Sequence, residues 1–156
     1  MPDAYVTALR LLARRELSEA QVRTRLARRE FEPDAIDAAV ERLRHERALD
    51  DRRTALACAR TEATVKRHGR QRALRTVEAL GVDRELARAA VAEVFDGIDE
   101  DALIGQVLER KLRHGASIEE ARVARRLHRY LLPQGFDAGR VHHAIRNRVK
   151  NPRHDD

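Results

Sequence analysis

The 156-residue chain has no Trp, one Cys, one Met, two Tyr and three Phe. With a single thiol, Cys58, no internal disulfide can form. Its Ala and Thr neighbours suggest a small buried side chain rather than a reactive one. Tyr5, Tyr130, Phe31, Phe95 and Phe136 are too few for a row of base-stacking platforms. Serine is equally scarce, with Ser18 and Ser117 alone available as nucleophiles. The seven histidines contain no pair three or four residues apart and have no Cys companion, so neither a zinc site nor any other metal or cofactor is expected. Gly69 and Gly81 stand isolated, outside any glycine-rich phosphate loop. Asp50 with Asp51 and Glu119 with Glu120 are sequence neighbours that diverge on a helix, so neither pair forms an acid/base dyad. These absences argue against an enzyme. No apolar run is long enough for a bilayer, and Met1-Pro2-Asp3-Ala4 lacks a basic segment followed by an apolar one. The expectation is a monomeric cytoplasmic protein with no membrane contact.

What the chain has in abundance is charge: 37% of its residues, with Lys and Arg exceeding Asp and Glu by 32 to 26. All but Lys66, Lys111 and Lys150 of the basic residues are Arg, whose fork matches carboxylate and phosphate. Apolar residues recur at helical spacing in short blocks: Val6, Leu9, Leu12 and Ala13; then Val22 and Leu26; then Ile36, Val40 and Leu43. The blocks are separated by recognisable stops and starts. Ser18-Glu19-Ala20-Gln21 reads as a capping box with Leu17 and Val22 as its staple, and Pro33 suits the first position of a third helix.

The same arrangement then recurs. Val22, Leu26 and Phe31 align with Ala73, Val77 and Val82, and again with Leu127, Leu131 and Phe136, at offsets of 51 and then 54 residues. Ile36 and Val40 correspond to Leu86 and Ala90, then to Val141 and Ile145. Asp83 and Asp137 follow the aligned position as helix caps, as Glu32 follows Phe31, and Ser117 opens a second capping box. Asp50 and Asp51 mark a junction and read as structural caps of the helix that follows. The pattern predicts an all-α protein of three tandem three-helix modules, residues 1–50, 51–97 and 98–150, in an elongated, curved array, with residues 151–156 as a disordered tail. The middle module offers only Thr54, Ala55, Cys58 and Ala59 in its first helix, which predicts the weakest packing.

Charge is sorted along each module. Residues 10–29 carry seven Arg against Glu16 and Glu19, and residues 30–51 carry eight acids against Arg42, Arg44 and Arg47. Residues 52–75 hold eight basic groups against Glu62, and residues 77–104 hold eight acids against Arg84 and Arg88. The third module is basic in its last helix as well, through Arg140, Arg146, Arg148 and Lys150. If the modules stack with constant rotation, basic and acidic stripes line different faces, and a basic stripe suits an acidic polymer such as DNA. With so few aromatics, DNA contact would be electrostatic, weak and salt-sensitive. A helix-turn-helix reading is disfavoured, because the third helices of the first two modules would bring carboxylates to phosphates.

Taken in order, Ala8 through Ser18, Leu26-Ala27-Arg28-Arg29-Glu30-Phe31 and Leu43 through Leu49-Asp50-Asp51 resemble the RecX family of bacterial recombination regulators. The likeness continues through Gly69-Arg70-Gln71-Arg72-Ala73, Gly81-Val82 and Leu131-Leu132-Pro133-Gln134-Gly135-Phe136. Thr54 and Cys58 depart from the pattern, which usually has Phe and then an aromatic after the Leu-Asp-Asp junction. The resemblance implies a non-enzymatic protein that binds the RecA recombinase, usually its filament on single-stranded DNA, and lowers its recombination, ATPase and co-protease activities. The recurring basic helices make Arg25, Arg28, Arg29, Lys66, Arg67, Arg70, Arg72, Arg122, Arg125, Arg126 and Arg129 the candidate partner- and DNA-binding residues. The alternative is a stand-alone, sequence-independent DNA-binding helical protein.

Overall fold

The structure, a computed structural model, describes residues 2–112 and 121–150. Nine α-helices and no strand occur among them: α1 (Ala4–Leu12), α2 (Glu19–Ala27), α3 (Pro33–His45), α4 (Asp51–Arg60), α5 (Arg70–Glu78), α6 (Arg84–Phe95), α7 (Glu100–Leu112), α8 (Ala121–Leu131) and α9 (Ala138–Lys150). Ser117 and residues 151–156 lie outside the described residues.

The helix starts are set by short polar side chains that accept from otherwise unpaired first-turn N–H groups. Asp3 accepts from Val6 N at 2.7 Å, Asp50 from Arg53 N at 3.0 Å, Asp99 from Ala102 N at 3.1 Å and Asp137 from Arg140 N at 3.0 Å. Asp83 accepts from Glu85 N and Leu86 N at 3.0 and 3.3 Å. Ser18 forms the complete capping box of α2, its Oγ accepting from Gln21 N and Gln21 Oε1 accepting from Ser18 N, both at 3.1 Å. Asp51 does a different task from Asp50. Its carboxylate accepts from Glu19 N at 2.8 Å, so it serves the start of α2, 32 residues away. Glu32 precedes Pro33 without making a side-chain cap.

The ends of the second helices explain the recurring apolar pair. At the end of α2, Phe31 N donates to Leu26 O at 3.3 Å and Glu30 N to Ala27 O at 2.9 Å, with Glu30 at φ +62°. This is a Schellman turn, whose geometry brings the residues at its two ends into apolar contact. Hence Leu26 and Phe31 stand five residues apart, as do Val77 and Val82, and Leu131 and Phe136. In the latter two modules the left-handed position is glycine, Gly81 at φ +80° and Gly135 at φ +94°. Arg47 repeats the left-handed conformation after α3, with Ala48 N on Leu43 O at 2.9 Å.

The chain divides into two compact units. The first comprises residues 1–59 and 74–92. Its main core is Ala4, Ala8, Leu11, Leu17, Val22, Leu26, Ile36, Ala39, Val40, Leu43 and Leu49, with Phe31 packed partly against it. Periodicity alone points to Val6, Leu9, Leu12 and Ala13 as the inner face of α1; the structure instead buries Ala4, Ala8 and Leu11 and leaves Leu9 36% exposed. The small side chains let α1 lie close against α3, and the larger leucines flank the seam. Ser18 is fully buried, and its hydroxyl donates to the Leu80 carbonyl at the end of the α5 turn. In α4, Thr54, Ala55, Leu56 and Ala59 are buried, whereas Cys58 is half-buried rather than enclosed.

The second unit comprises residues 60–73 and 93–156. Leu103, Ile104, Val107 and Leu108 of α7 pack with Val123, Leu127 and Leu131 of α8, Phe136, and Val141 and Ile145 of α9. A clasp joins Gly69 and the first turn of α5 to the turn after α8. Gly69 N donates to Gln134 O at 2.7 Å, Gln71 N to Gly135 O at 3.2 Å, and the Arg72 guanidinium to Gln134 Oε1 at 2.8 Å. The backbones approach so closely that a Cβ at Gly69 would lie 2.4 Å from the Gly135 carbonyl carbon.

Gly69→Ala should therefore destabilise the protein by about 2–3 kcal/mol or more, since the obstacle is backbone and cannot rotate away. Glu30→Gly should stabilise it by about 0.5–1 kcal/mol by relieving the left-handed side-chain conformation. Ser18→Ala should cost about 1–3 kcal/mol, from the lost cap and the orphaned Leu80 carbonyl. Urea unfolding of the three variants against the parent checks all three signs.

Candidate functional site

The candidate cations fall into two groups according to whether the fold already offers them an acceptor. Lys66, Arg70 and Arg72 are occupied internally. Lys66 Nζ lies 2.6 Å from Glu62 Oε1; Arg70 reaches Asp96 at 3.1 Å and Glu100 at 3.3 Å; Arg72 holds Gln134 in the glycine clasp. Arg67 is half-buried and left-handed, at φ +55°.

Glu62 is the centre of this region. It sits in a single π-helical turn, Thr61–Val65, that continues α4. Its side chain is 2% exposed and receives Lys66 on one oxygen and His68 Nδ1 on the other, each at 2.6 Å. Burial pushes the Glu62 carboxyl up, but the hydrogen bonds from His68 and Lys66 outweigh it and hold the group below its ordinary value. The arrangement is a structural tie, with each buried carboxylate oxygen satisfied.

The second group keeps its charge available. On α8, Arg122, Arg125, Arg126 and Arg129 are all exposed and recur at helical spacing along one stripe. Val123, Leu127 and Leu131 occupy the opposite, buried side. The helix is amphipathic in the simplest sense, one side apolar and one side guanidinium. None of the four arginines has a carboxylate partner among the described residues. On α2 and its exit turn, Arg28 and Arg29 are exposed and Arg25 half-buried, again without a carboxylate partner among the described residues. The Arg29 guanidinium donates to the Arg25 carbonyl, at 3.3 Å.

Elsewhere basic and acidic helices neutralise each other. Glu19 receives Arg44 through two nitrogens, each at 2.9 Å, and Arg23 at 3.0 Å. The Arg44 hydrogen bond is the largest influence holding the Glu19 carboxyl below its usual range. Arg23 also reaches Asp37 on α3. In the second unit Arg140 pairs with Asp101 at 3.0 Å and Arg148 with Glu109 at 3.2 Å, which ties basic α9 to α7. Thus the charge sorting of the sequence is partly consumed between neighbouring helices, and the stripe on α8 is what remains most concentrated.

No group of three or more His, Cys, Asp or Glu suited to a metal ion occurs among the described residues. No helix among them is long and apolar enough to cross a membrane.

Residues 4–43 match the family described as RecX, first three-helix domain. The chain is 30% identical over 135 residues to the regulatory protein RecX of Syntrophotalea carbinolica, covering 86% of this chain and 88% of that protein. It is 27% identical over 155 residues to the regulatory protein RecX of Pelodictyon phaeoclathratiforme, covering 99% and 94%. The crystal structure of RecX from Lactobacillus salivarius superposes with a TM-score of 0.77 at 20% identity, covering 94% of each chain, a likeness of fold.

The Glu62 tie has a defined pH signature. Its carboxyl lies below its unfolded value, so its contribution is complete above the ordinary carboxylate range and lost as pH falls through the lowered folded value. Glu62→Gln should cost about 1–2 kcal/mol at neutral pH, moderated by the half-exposed Lys66. The difference from the parent should disappear in acid. Urea unfolding as a function of pH measures that convergence.

Proposed function

The chain belongs to the RecX family of regulatory proteins, and from this membership we propose that it binds the RecA recombinase and its single-stranded DNA filament, inhibiting recombination, ATPase and co-protease activities. It acts in the cytoplasm, by binding, and contributes no chemistry of its own. The observation that carries the reading to particular residues is the stripe of Arg122, Arg125, Arg126 and Arg129, exposed and without a carboxylate partner among the described residues. Charge presented on a helix held by a buried leucine face is positioned in advance, so an acidic filament surface needs little reordering to meet it. Arg25, Arg28 and Arg29 form a second set of contacts on α2. Lys66, Arg67, Arg70 and Arg72 take a lesser part, because three of them already hold internal acceptors.

The same stripe supports a second reading, a protein that coats DNA unaided, since a sequence isoelectric point of about 10.3 favours any polyanion. The two readings differ in what is recognised. Filament recognition survives when affinity for bare DNA is low, whereas coating requires strong binding to bare DNA.

Reversal of three charges, Arg122→Glu with Arg125→Glu and Arg126→Glu, should abolish inhibition of the recombinase while leaving the helical circular dichroism intact. DNA-dependent ATP hydrolysis by the recombinase reads the effect. Undiminished inhibition by the folded triple variant would remove α8 from the interface.

A further inference from the structure

A second surface, in the first unit, has a different chemistry from the α8 stripe. A groove of about 550 Å³ opens beside α1 and the turn that ends α2. Its apolar lining includes the buried Leu11 and Phe31, which is half-buried and packed in part against the core. Its rim carries Arg10, Arg14 and Arg29, all exposed and all without a carboxylate partner among the described residues. Against these three guanidiniums stands one carboxylate, Glu30. Where acids lie close, as at Glu19 and Glu100, they take up arginines, whereas here three arginines without a carboxylate partner among the described residues surround one apolar slot.

We propose that this groove docks an acidic peptide segment bearing one bulky apolar side chain, with that side chain on Leu11 and Phe31 and its flanking carboxylates on Arg10, Arg14 and Arg29. Arginine forks match carboxylates in paired hydrogen bonds, and a desolvated apolar anchor ringed by polar contacts is the usual pattern of a peptide hot spot. Two features favour a peptide over nucleic acid. The lining holds a single aromatic ring, Phe31, too few for a row of stacked bases, and it includes the carboxylate of Glu30, which repels phosphate. Glu30 holds a left-handed conformation at φ +62° where the equivalent turns have glycine, so the side chain is retained at the groove mouth against its backbone preference. Beside three arginines, a single acid sets register, because it repels a carboxylate placed at the wrong end.

The test uses fluorescence anisotropy with a short labelled peptide of aspartates and glutamates around one central phenylalanine. The parent protein should bind it saturably. Replacing that phenylalanine by alanine should weaken binding about tenfold, the effect of losing one buried aromatic anchor. Arg14→Glu with Arg29→Glu should weaken it by about tenfold or more, and the neutral pair Arg10→Gln with Arg14→Gln should weaken it less, in proteins whose helical circular dichroism is unchanged. Charge reversal at Arg122 and Arg125 should leave peptide affinity unaltered, which separates this groove from the α8 stripe proposed for the recombinase filament; Arg29 alone belongs both to the groove and to the contact set on α2. The proposal is overturned if the parent does not bind the peptide, if the groove variants bind it as the parent does, or if the phenylalanine makes no difference. It is also overturned if an oligothymidylate of equal charge displaces the peptide at equal concentration and itself loses affinity in the groove variants.

Discussion

The way each second helix ends is the constraint on which the rest of the architecture depends. A residue forced to positive φ turns the chain back so that an apolar residue five positions after its partner closes over the helix end. Leu26 with Phe31, Val77 with Val82 and Leu131 with Phe136 are that pair in successive modules, and Glu30, Gly81 and Gly135 are the turning residues. The third helix of each module starts two residues after the closing apolar residue, so the turn fixes where α3, α6 and α9 begin. Where the turning residue is Gly135, the absence of a side chain also admits the backbone of residues 69–72, and one turn then serves both as a helix stop and as half of the glycine clasp. Where it is Glu30, a carboxylate stands at the mouth of a groove floored by Phe31. A single local geometry thus yields packing in one place and surface chemistry in another.

On this frame, function is decided by which arginines are left over. Exposed ion pairs contribute little to stability, typically about 0–1 kcal/mol each. Their larger consequence is neutralisation: Glu19 takes up Arg23 and Arg44, Glu16 takes up Arg53, and Asp96 with Glu100 takes up Arg70. The stripe on α8 and Arg25, Arg28 and Arg29 at α2 and its exit turn receive no such partner among the described residues. A surface on which a helix presents four guanidiniums, held by a leucine-rich opposite side, is suited to an extended acidic partner and to none in particular by base sequence. Family membership supplies the identity of that partner as a proposal, and the residual charge supplies where contact would be made.

Much of the fold was legible before the structure, and the failures are instructive. The capping box at Ser18, the start at Pro33 and the threefold recurrence around Phe31, Val82 and Phe136 are local patterns, each readable within one or two helical turns. The inner face of α1 was not readable, because two stripes compete and close approach to α3 favours the smaller one, Ala4 and Ala8, over Leu9. The division among candidate cations was hidden for a different reason. Arg70 finds Glu100 across 30 residues and Arg72 finds Gln134 across 62, separations at which sequence carries no pairing signal. Asp51 shows the same limit, serving the N-terminus of α2 rather than its own helix. By contrast the arginines and the buried Leu127 and Leu131 of α8 were legible, since they recur with helical period.

The central claim is that unpaired guanidinium stripes on a RecX-family scaffold recognise a recombinase filament rather than nucleic acid alone. The most direct test titrates this protein into DNA-dependent ATP hydrolysis by the cognate recombinase at fixed salt, with its affinity for the same bare single-stranded DNA measured in parallel. The account predicts inhibition at ratios well below one regulator per recombinase protomer, together with weak binding to the bare strand. Inhibition that sets in only as the bare strand itself becomes saturated, or no inhibition at all, would contradict it.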